Sequence, residues 1–212
     1  MKDIGYLAIE GVIGVGKTSL ARRLARDIDA RLVLETHDAN PFIEDFYRDP
    51  AHYAFQTQMF FLLSRFQQQQ ELLQQDVFHP HTISDYIFAK DKIFAYLNLE
   101  DRELKLYEQV SSTLEKNITK PDLIIYLQST LDRLMKNIRR RGRSYEKYIT
   151  EEYLEALMEA YNHFFFHYYE SPLLVVNATN LDFVKREEDL NTLKEQIDNH
   201  PGGVVFFNPM IV

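Results

Sequence analysis

Short apolar runs alternate along the chain with longer segments in which apolar residues recur every three to four positions. Five short runs have the length of strands buried on both faces, and they span residues 6–9, 31–35, 82–85, 123–127 and 173–176. The periodic segments predict helices at residues 18–28, 41–47, 53–75, 101–116, 130–140, 151–169 and 183–199. This alternation predicts an α/β fold in which helices flank a five-stranded parallel sheet.

The last part of the chain has a different pattern, because a turn at Pro201-Gly202-Gly203 precedes the apolar run Val204-Val205-Phe206-Phe207. Such a run is equally typical of an edge strand and of an arm that contacts a partner. The 212 residues contain no internal repeat and no Gly/Ser/Pro linker, and their number suits one domain. We therefore predict a single domain over residues 1–212, with a small lid at about 139–150.

The composition narrows the class of protein. The chain has no cysteine, which excludes disulfides, zinc–thiolate sites and cysteine nucleophiles and favours a reducing, cytoplasmic compartment. The net charge of −8 makes a nucleic-acid polymer an unfavourable partner. No apolar run approaches the roughly 18 residues of a membrane span, so we expect no contact with a membrane.

The segment Gly11-Val12-Ile13-Gly14-Val15-Gly16-Lys17-Thr18 matches the phosphate-binding pattern G-x-x-x-x-G-K-[ST] between a predicted strand and a predicted helix. Its backbone N–H groups can surround phosphate oxygens at a helix N-terminus, and Lys17 can reach the β- and γ-phosphates. The Thr18 hydroxyl can bind Mg²⁺. The residues expected to bind ATP here are Gly11, Gly14, Val15, Gly16, Lys17, Thr18 and Ser19.

Two carboxylates favour a kinase over other enzymes that bind nucleoside triphosphates. The chain lacks the Asn-Lys-x-Asp sequence that reads guanine, and Asp85 is followed by Tyr86 instead of a glutamate that could activate water. Glu35 and Asp85 end two predicted strands, whose carboxyl ends border the ligand crevice. One could receive a proton from an acceptor hydroxyl and the other could hold Mg²⁺, or each could be a helix cap or a solvated residue.

A basic segment stands out in this acidic chain, where four arginines lie within Arg139-Arg140-Arg141-Gly142-Arg143. Guanidinium groups stabilise the oxygens of a phosphoryl group in transfer, and a mobile lid can deliver them while it excludes water. A solvated basic helix end is the alternative.

Three side chains on the long predicted helix share one stripe, because Gln58, Phe61 and Arg65 lie three and four positions apart. They could bracket a flat nitrogenous base by hydrogen bonds to its edge and by stacking. A buried glutamine among core rings is the alternative.

These residues together resemble the deoxynucleoside kinase family, which includes deoxyguanosine, deoxyadenosine and deoxycytidine kinases. The match runs over nearly the whole chain and, besides the phosphate-binding segment, includes Glu35 with Asn40-Pro41-Phe42 and Phe46-Tyr47, Phe55 to Arg65, Ser84-Asp85, Arg141-Gly142-Arg143 with Glu146, and Glu152-Tyr153-Leu154. The resemblance implies a P-loop kinase fold with a small arginine-rich lid. It also implies transfer of the ATP γ-phosphoryl group to the 5′-hydroxyl of a 2′-deoxynucleoside in nucleotide salvage, with the bacterial, purine-preferring branch most similar.

The resemblance also implies individual roles in catalysis. Glu35 matches the general base, and Asp85 matches the acid that organises Mg²⁺ with Thr18. Arg141 and Arg143 match the lid arginines that clamp the phosphates. The implied catalytic residues are Glu35, Lys17, Asp85, Arg141 and Arg143, and Arg139 and Arg143 are expected to contact ATP.

For the deoxynucleoside, Tyr47 and Glu146 match the pair that binds the 3′-hydroxyl, and Tyr47 also crowds the place of a ribose 2′-hydroxyl. Gln58 matches the residue that pairs with the base edge. The other residues implied to contact the deoxynucleoside or to set base preference are Phe61, Arg65 and Asp91, together with Glu35 and Asp85.

Two positions depart from the family pattern. Tyr86 stands where many members have an arginine beside the reacting 5′-oxygen, and our hypothesis is that Lys90 or a lid arginine supplies that charge. Asn137 stands where a further arginine is common, and the neighbours that could compensate for it are Lys136, Arg139 and Arg140.

Two other functions remain open at this point. A nucleoside monophosphate kinase of the thymidylate type shares the phosphate-binding segment and the lid, but it normally has an arginine where this chain has Thr36-His37-Asp38. A non-catalytic nucleotide sensor would not need Glu35, Asp85 and the arginines together. Family members are commonly homodimers, and the ring-rich helices at 53–65 and 101–114 could form such an interface or could simply pack in the core.

Overall fold

Six parallel strands form one sheet in the computed structural model, which describes residues 4–72 and 79–209. The strands are β1 (Tyr6–Gly11), β2 (Arg31–Val33), β3 (Thr82–Ser84), β4 (Leu123–Gln128), β5 (Leu173–Asn177) and β6 (Val204–Phe207). Their order across the sheet is β2-β3-β1-β4-β5-β6, and every neighbouring pair is parallel. The predicted α/β class is confirmed.

The predicted count of five strands is wrong by one, because the C-terminal run 204–207 forms an edge strand. It pairs with β5, with Leu173 opposite Val204 and Val176 opposite Phe207. Gly202 and Gly203, with φ values of 90° and 68°, form the turn that precedes it. Phe206 remains 69% exposed because one face of this edge strand meets solvent, whereas every residue of β1 is buried.

Eight α-helices surround this sheet in the described part of the chain. They are α1 (Lys17–Ile28), α2 (Ile43–Arg48), α3 (Pro50–Leu72), α4 (Lys90–Asn98), α5 (Asp101–Leu114), α6 (Leu131–Arg141), α7 (Glu151–Phe166) and α8 (Glu187–Asp198). Short 3-10 helices lie at His37–Ala39, Glu115–Asn117 and Ser144–Tyr148. The last three positions of the predicted helix 53–75 lie outside the described residues.

The helix α4 was not predicted, and its buried face explains why. Four of its nine residues are buried, and two of these, Lys90 and Asp91, are charged. An apolar stripe is what identifies a helix from sequence, and charges at core positions interrupt that stripe.

The core has two main layers, one on each face of the sheet. Strand residues such as Leu7 and Ile125 pack against α1 and α8, whereas Ala8 and Tyr126 pack against α4, α6 and α7. Helix α3 packs on α4 and α5, in a third cluster that includes Leu62, Phe88 and Tyr107. None of the described helices is long and apolar enough to cross a membrane.

Candidate active site

A cavity of about 410 Å³ lies at the carboxyl ends of β1 and β2, between the phosphate-binding loop, α3 and the segment after α6. Most of the residues predicted to bind ligand line it. The lining includes Gly14, Gly16, Lys17, Thr18, Ser19, Glu35, Tyr47, Gln58, Phe61, Arg65, Arg141, Arg143 and Glu146. The structure thus brings residues from the first and the last third of the chain to one cavity.

The phosphate-binding loop has the conformation that its glycines allow. Gly11, Gly14 and Gly16 have φ values of 146°, 86° and 110°, and α1 begins directly after Gly16. Lys17 Nζ lies across the loop and donates to the carbonyls of Gly11 at 2.6 Å and Val12 at 3.3 Å. Burial lowers the pKa of Lys17 to about 8, and the nearby charge of Lys90 acts in the same direction.

Gly14 packs against α6, the helix that leads into the predicted lid. Asn137 Nδ2 donates to the Gly14 carbonyl at 2.8 Å, so the residue that departs from the family pattern supports the loop. Residues Gly11 and Val15 belong to the loop but do not line the cavity, and Val15 packs into the core instead.

We predict that Gly14→Ala destabilises the protein by about 2–3 kcal/mol, because strain and a clash add together. A Cβ at this left-handed position would lie 2.9 Å from both Ile138 Cγ1 and the Leu134 carbonyl oxygen. Gly142→Ala is the matched control, because its φ is 70° but no atom lies within 4 Å. Urea unfolding measures both, and equal losses would contradict the expected clash.

Asp85 connects the phosphate-binding loop to the end of β2. It accepts a hydrogen bond from Thr18 Oγ1 at 2.5 Å and one from the Glu35 backbone N–H at 2.8 Å. Within the described residues no group of three or more His, Cys, Asp or Glu side chains could hold a metal ion alone. Thr18 and Asp85 suit Mg²⁺, which usually takes one or two protein ligands beside phosphate oxygens and waters.

The Glu35 carboxylate lies at the centre of a buried group of charges. Its side chain is 2% exposed, and Arg65 Nε donates to Oε1 at 2.6 Å. Lys90 Nζ donates to Oε2 at 2.9 Å, and His37 Nε2 lies 2.9 Å from the same oxygen. Arg65 also pairs with Asp91. Burial alone would raise the pKa of Glu35, but Arg65, Lys90 and His37 outweigh burial and hold it well below its usual value.

We predict that Glu35 stabilises the fold above about pH 4.5, its ordinary pKa in the unfolded chain, and that this contribution is lost as the pH falls further. The sign follows because the folded protein binds the proton less readily than the unfolded chain does. Urea unfolding of the unchanged protein and of Glu35→Gln between pH 7 and pH 3 measures this contribution of Glu35 to the free energy of unfolding. The difference in unfolding free energy should shrink below about pH 4.5; a constant difference would contradict the lowered pKa.

Two predicted sugar-binding residues lie at the lid side of the cavity. Glu146 is buried and accepts hydrogen bonds from Arg141, one of them from Nε at 3.0 Å, while Arg143 Nη1 lies at 3.6 Å. Tyr47 lies beside it and stacks on Tyr145, with ring centroids 5.9 Å apart and planes at 4°. Burial raises the pKa of Tyr47 well above its usual value, so its hydroxyl stays protonated and can donate.

The predicted base-binding stripe lies at the opposite wall, on α3. Gln58 Nε2 donates to the Asp91 carbonyl at 2.8 Å, which fixes the orientation of the amide. The Arg65 guanidinium lies 4.9 Å from the centre of the Phe61 ring. Asp91 does not line the cavity; it lies behind Arg65 and holds that guanidinium in place.

The four arginines at the end of α6 and just after it differ in whether they face the cavity. Arg140, Arg141 and Arg143 line the cavity, whereas Arg139 is 71% exposed in its side chain and lies 3.7 Å from Glu151. The predicted contact of Arg139 with ATP stays a prediction.

Lys90 and a lid arginine were the two candidates to replace the arginine that is missing at position 86, and the structure places Lys90 beside Glu35. Tyr86 itself is fully buried and does not line the cavity.

Among the lining residues that sequence reasoning missed, three contact residues of the predicted site or Lys90. His37 contacts Glu35, Tyr145 stacks on Tyr47, and Phe94 lies 5.7 Å from the Lys90 ammonium. His37 and Tyr145 lie in short 3-10 helices without a periodic pattern, and Phe94 lies in the helix that was not predicted. The position of His37 two residues after a strand-end carboxylate was the one available signal.

Comparisons with known proteins agree with this geometry. A family model described as deoxynucleoside kinase matches residues 7–201. A deoxyguanosine kinase of Bacillus subtilis is 31% identical over 202 residues, which are 93% of this chain and 98% of the relative. A deoxyadenosine kinase of Dictyostelium discoideum is 37% identical over 164 residues, 75% of this chain and 66% of that protein.

The solved structures include a similar fold. A deoxyadenosine kinase from M. mycoides, with the products dCMP and a flexible dCDP bound, is 25% identical and superposes with a TM-score of 0.81. The match covers 91% of this chain and 98% of that one.

Proposed function

The chain belongs to the deoxynucleoside kinase family, and we propose that its cavity holds a purine 2′-deoxynucleoside with its 5′-hydroxyl directed at Glu35. It is an enzyme that phosphorylates a deoxynucleoside, with a nucleotide such as ATP as the phosphoryl donor. The observation that carries the proposal is the position of Glu35, which lies in one cavity with the phosphate-binding loop and the side chains of α3.

In the proposed reaction the 5′-oxygen forms a bond to the γ-phosphorus while the bond from that phosphorus to the bridging oxygen of ATP breaks. The proton of the hydroxyl passes to Glu35, and the electron pair of the broken bond leaves with ADP. Lys90 keeps Glu35 ionised and places a positive charge beside the reacting oxygen.

The phosphate side of the cavity supplies the remaining charges. Lys17, Arg141 and Arg143 are proposed to bind the phosphates, and Thr18 with Asp85 is proposed to hold Mg²⁺, which would neutralise phosphate charge. The catalytic effect then comes from positioning and from electrostatic stabilisation.

The lid side of the cavity supports a deoxyribose over a ribose. The Tyr47 ring packs against two other rings, that of Tyr145 at a centroid distance of 5.9 Å and that of Tyr153 at 6.4 Å. Because both neighbours hold it, the Tyr47 ring cannot easily move aside for an added 2′-hydroxyl. Glu146 offers a fixed carboxylate that can accept from the 3′-hydroxyl.

The base preference rests on α3 and on the relatives. Gln58 and the Arg65 guanidinium present polar groups to one wall, while Phe61 offers a ring face or edge for stacking. The relatives described above are named for deoxyguanosine and deoxyadenosine, which supports a purine.

We also propose that the protein is a homodimer. An apolar groove of about 940 Å³ runs between α4, the end of α5 and α7, away from the cavity. Tyr96 at its rim is 60% exposed, and Phe166 and Tyr169 nearby are 75% and 78% exposed. Exposed rings at this density are typical of a surface that a partner covers. We also propose a cytoplasmic location, which the absence of cysteine supports.

The function is tested by measuring ADP formation with ATP and each of the four common deoxynucleosides. Ribonucleosides and nucleoside monophosphates serve as controls, and the same measurement without Mg²⁺ tests the metal. We expect the highest kcat/KM with deoxyguanosine or deoxyadenosine and loss of turnover without Mg²⁺. Turnover with monophosphates alone would indicate a monophosphate kinase, and no turnover with any acceptor would indicate a nucleotide sensor.

A further inference from the structure

The two oxygens of Glu35 have no acceptor position left for a substrate. A carboxylate offers about four lone-pair directions. Arg65 Nε donates to Oε1 at 2.6 Å and Arg65 Nη2 pairs with the same oxygen, while Lys90 Nζ and His37 Nε2 each lie 2.9 Å from Oε2. A 5′-hydroxyl that is to give its proton to Glu35 must therefore replace one of these neighbours.

The neighbours differ in how firmly they are held. The side chains of Arg65 and Lys90 are 4% and 2% exposed, and Arg65 is also fixed by Asp91. The His37 side chain is 31% exposed, and it lies on a 3-10 helix of three residues. Within the described residues, the one ring that its imidazole contacts is that of Phe61, with centroids 5.8 Å apart. His37 is thus the neighbour that can move at the smallest cost.

Building on the proposed function, we propose that His37 occupies on Glu35 the place of the substrate 5′-hydroxyl, so that the deoxynucleoside must displace His37 to bind productively. His37 lines the cavity next to Glu35 and Phe61, which places it between the reacting end and the base end of the substrate. It acts through Glu35 and is therefore a positioning residue that competes with the substrate.

Charged groups surround His37 at this position. They are Glu35 from the segment after β2, Arg65 from α3 and Lys90 from α4, with Asp38 next to it and Arg143 paired with Asp38. Because Glu35 is in direct contact, removing the imidazole opens one side of the carboxylate to the substrate.

The test measures the dissociation constant of deoxyguanosine and of deoxyadenosine by calorimetry without ATP. His37→Ala removes the competitor, and we expect it to bind about 3- to 10-fold more tightly than the unchanged enzyme, as follows for one competing hydrogen bond. His37→Gln keeps an uncharged donor at this position and should bind with an affinity between the two.

His52→Ala is the matched control, because His52 pairs with Asp49 at 2.7 Å but is 79% exposed and does not line the cavity. It should bind as the unchanged enzyme does. Unchanged binding in His37→Ala would overturn the inference, and so would weaker binding, the signature of a merely structural role. A protein that binds no deoxynucleoside at all would instead contradict the proposed function.

Discussion

Replacing Glu35 with glutamine is expected to lower kcat by about 10²- to 10⁴-fold, the usual contribution of a general base. The amide keeps the size of the side chain and its oxygen can still accept a hydrogen bond from Arg65 or Lys90, but it cannot receive the hydroxyl proton. Binding of ATP should persist, because Glu35 is connected to Thr18 of the phosphate-binding loop by its backbone N–H, through Asp85. The substitution does not change that backbone group.

Steady-state kinetics with the best deoxynucleoside, together with calorimetry for ATP, measure both effects. The control is Glu44→Gln, which removes an exposed carboxylate that pairs with Arg48 outside the cavity lining. It should retain full turnover. A Glu35→Gln enzyme with nearly unchanged kcat would remove Glu35 from the mechanism.

Lys90→Ala is expected to lower kcat by about 10²- to 10³-fold, since it removes a buried positive charge beside the oxygen that reacts. The same loss raises the pKa of Glu35, because one of the charges that hold it low is gone. The activity should therefore decline at a higher pH on the acid side of the pH profile. Lys90→Arg, which keeps the charge, should recover part of the turnover.

The control for Lys90 is Lys194→Ala, because Lys194 pairs with Asp27 on the far side of the sheet and lies outside the cavity lining. The pH profile of kcat distinguishes an electrostatic role from a structural one. If Lys90→Ala retains full turnover, the charge beside the 5′-oxygen must come from a lid arginine.

The parts of the site that sequence predicted best are those in which neighbouring residues form the structure. The phosphate-binding loop needs only its glycines, Lys17 and Thr18 in order, and its strand and helix flank it as expected. Glu35 and Asp85 were predictable because strand ends in a parallel sheet meet at one edge. The hydrogen bond from the Glu35 backbone N–H to the Asp85 carboxylate was not predictable, since it depends on the register of β2 and β3.

What sequence could not supply are contacts that depend on buried charge. Because Lys90 and Asp91 are charged, α4 lacks the apolar stripe by which a helix is identified from sequence. In the folded protein Lys90 pairs with Glu35, and Asp91 pairs with Arg65. The conformation of His37 depends on a short turn after β2, which carries no periodic signal. In both cases tertiary pairing outweighs local preference.

The close packing of Gly14 against α6 has a consequence for protein engineering. The helix is joined to the phosphate-binding loop through the Asn137 hydrogen bond and the contact at Ile138, so it forms part of the rigid frame. Gly142, in a left-handed conformation, is the first position after it where the chain can change direction without a neighbouring atom in the way. Chimeras that exchange lids between relatives should therefore be joined at Gly142. A junction inside α6 would combine the phosphate-binding loop of one protein with part of the α6 helix of the other.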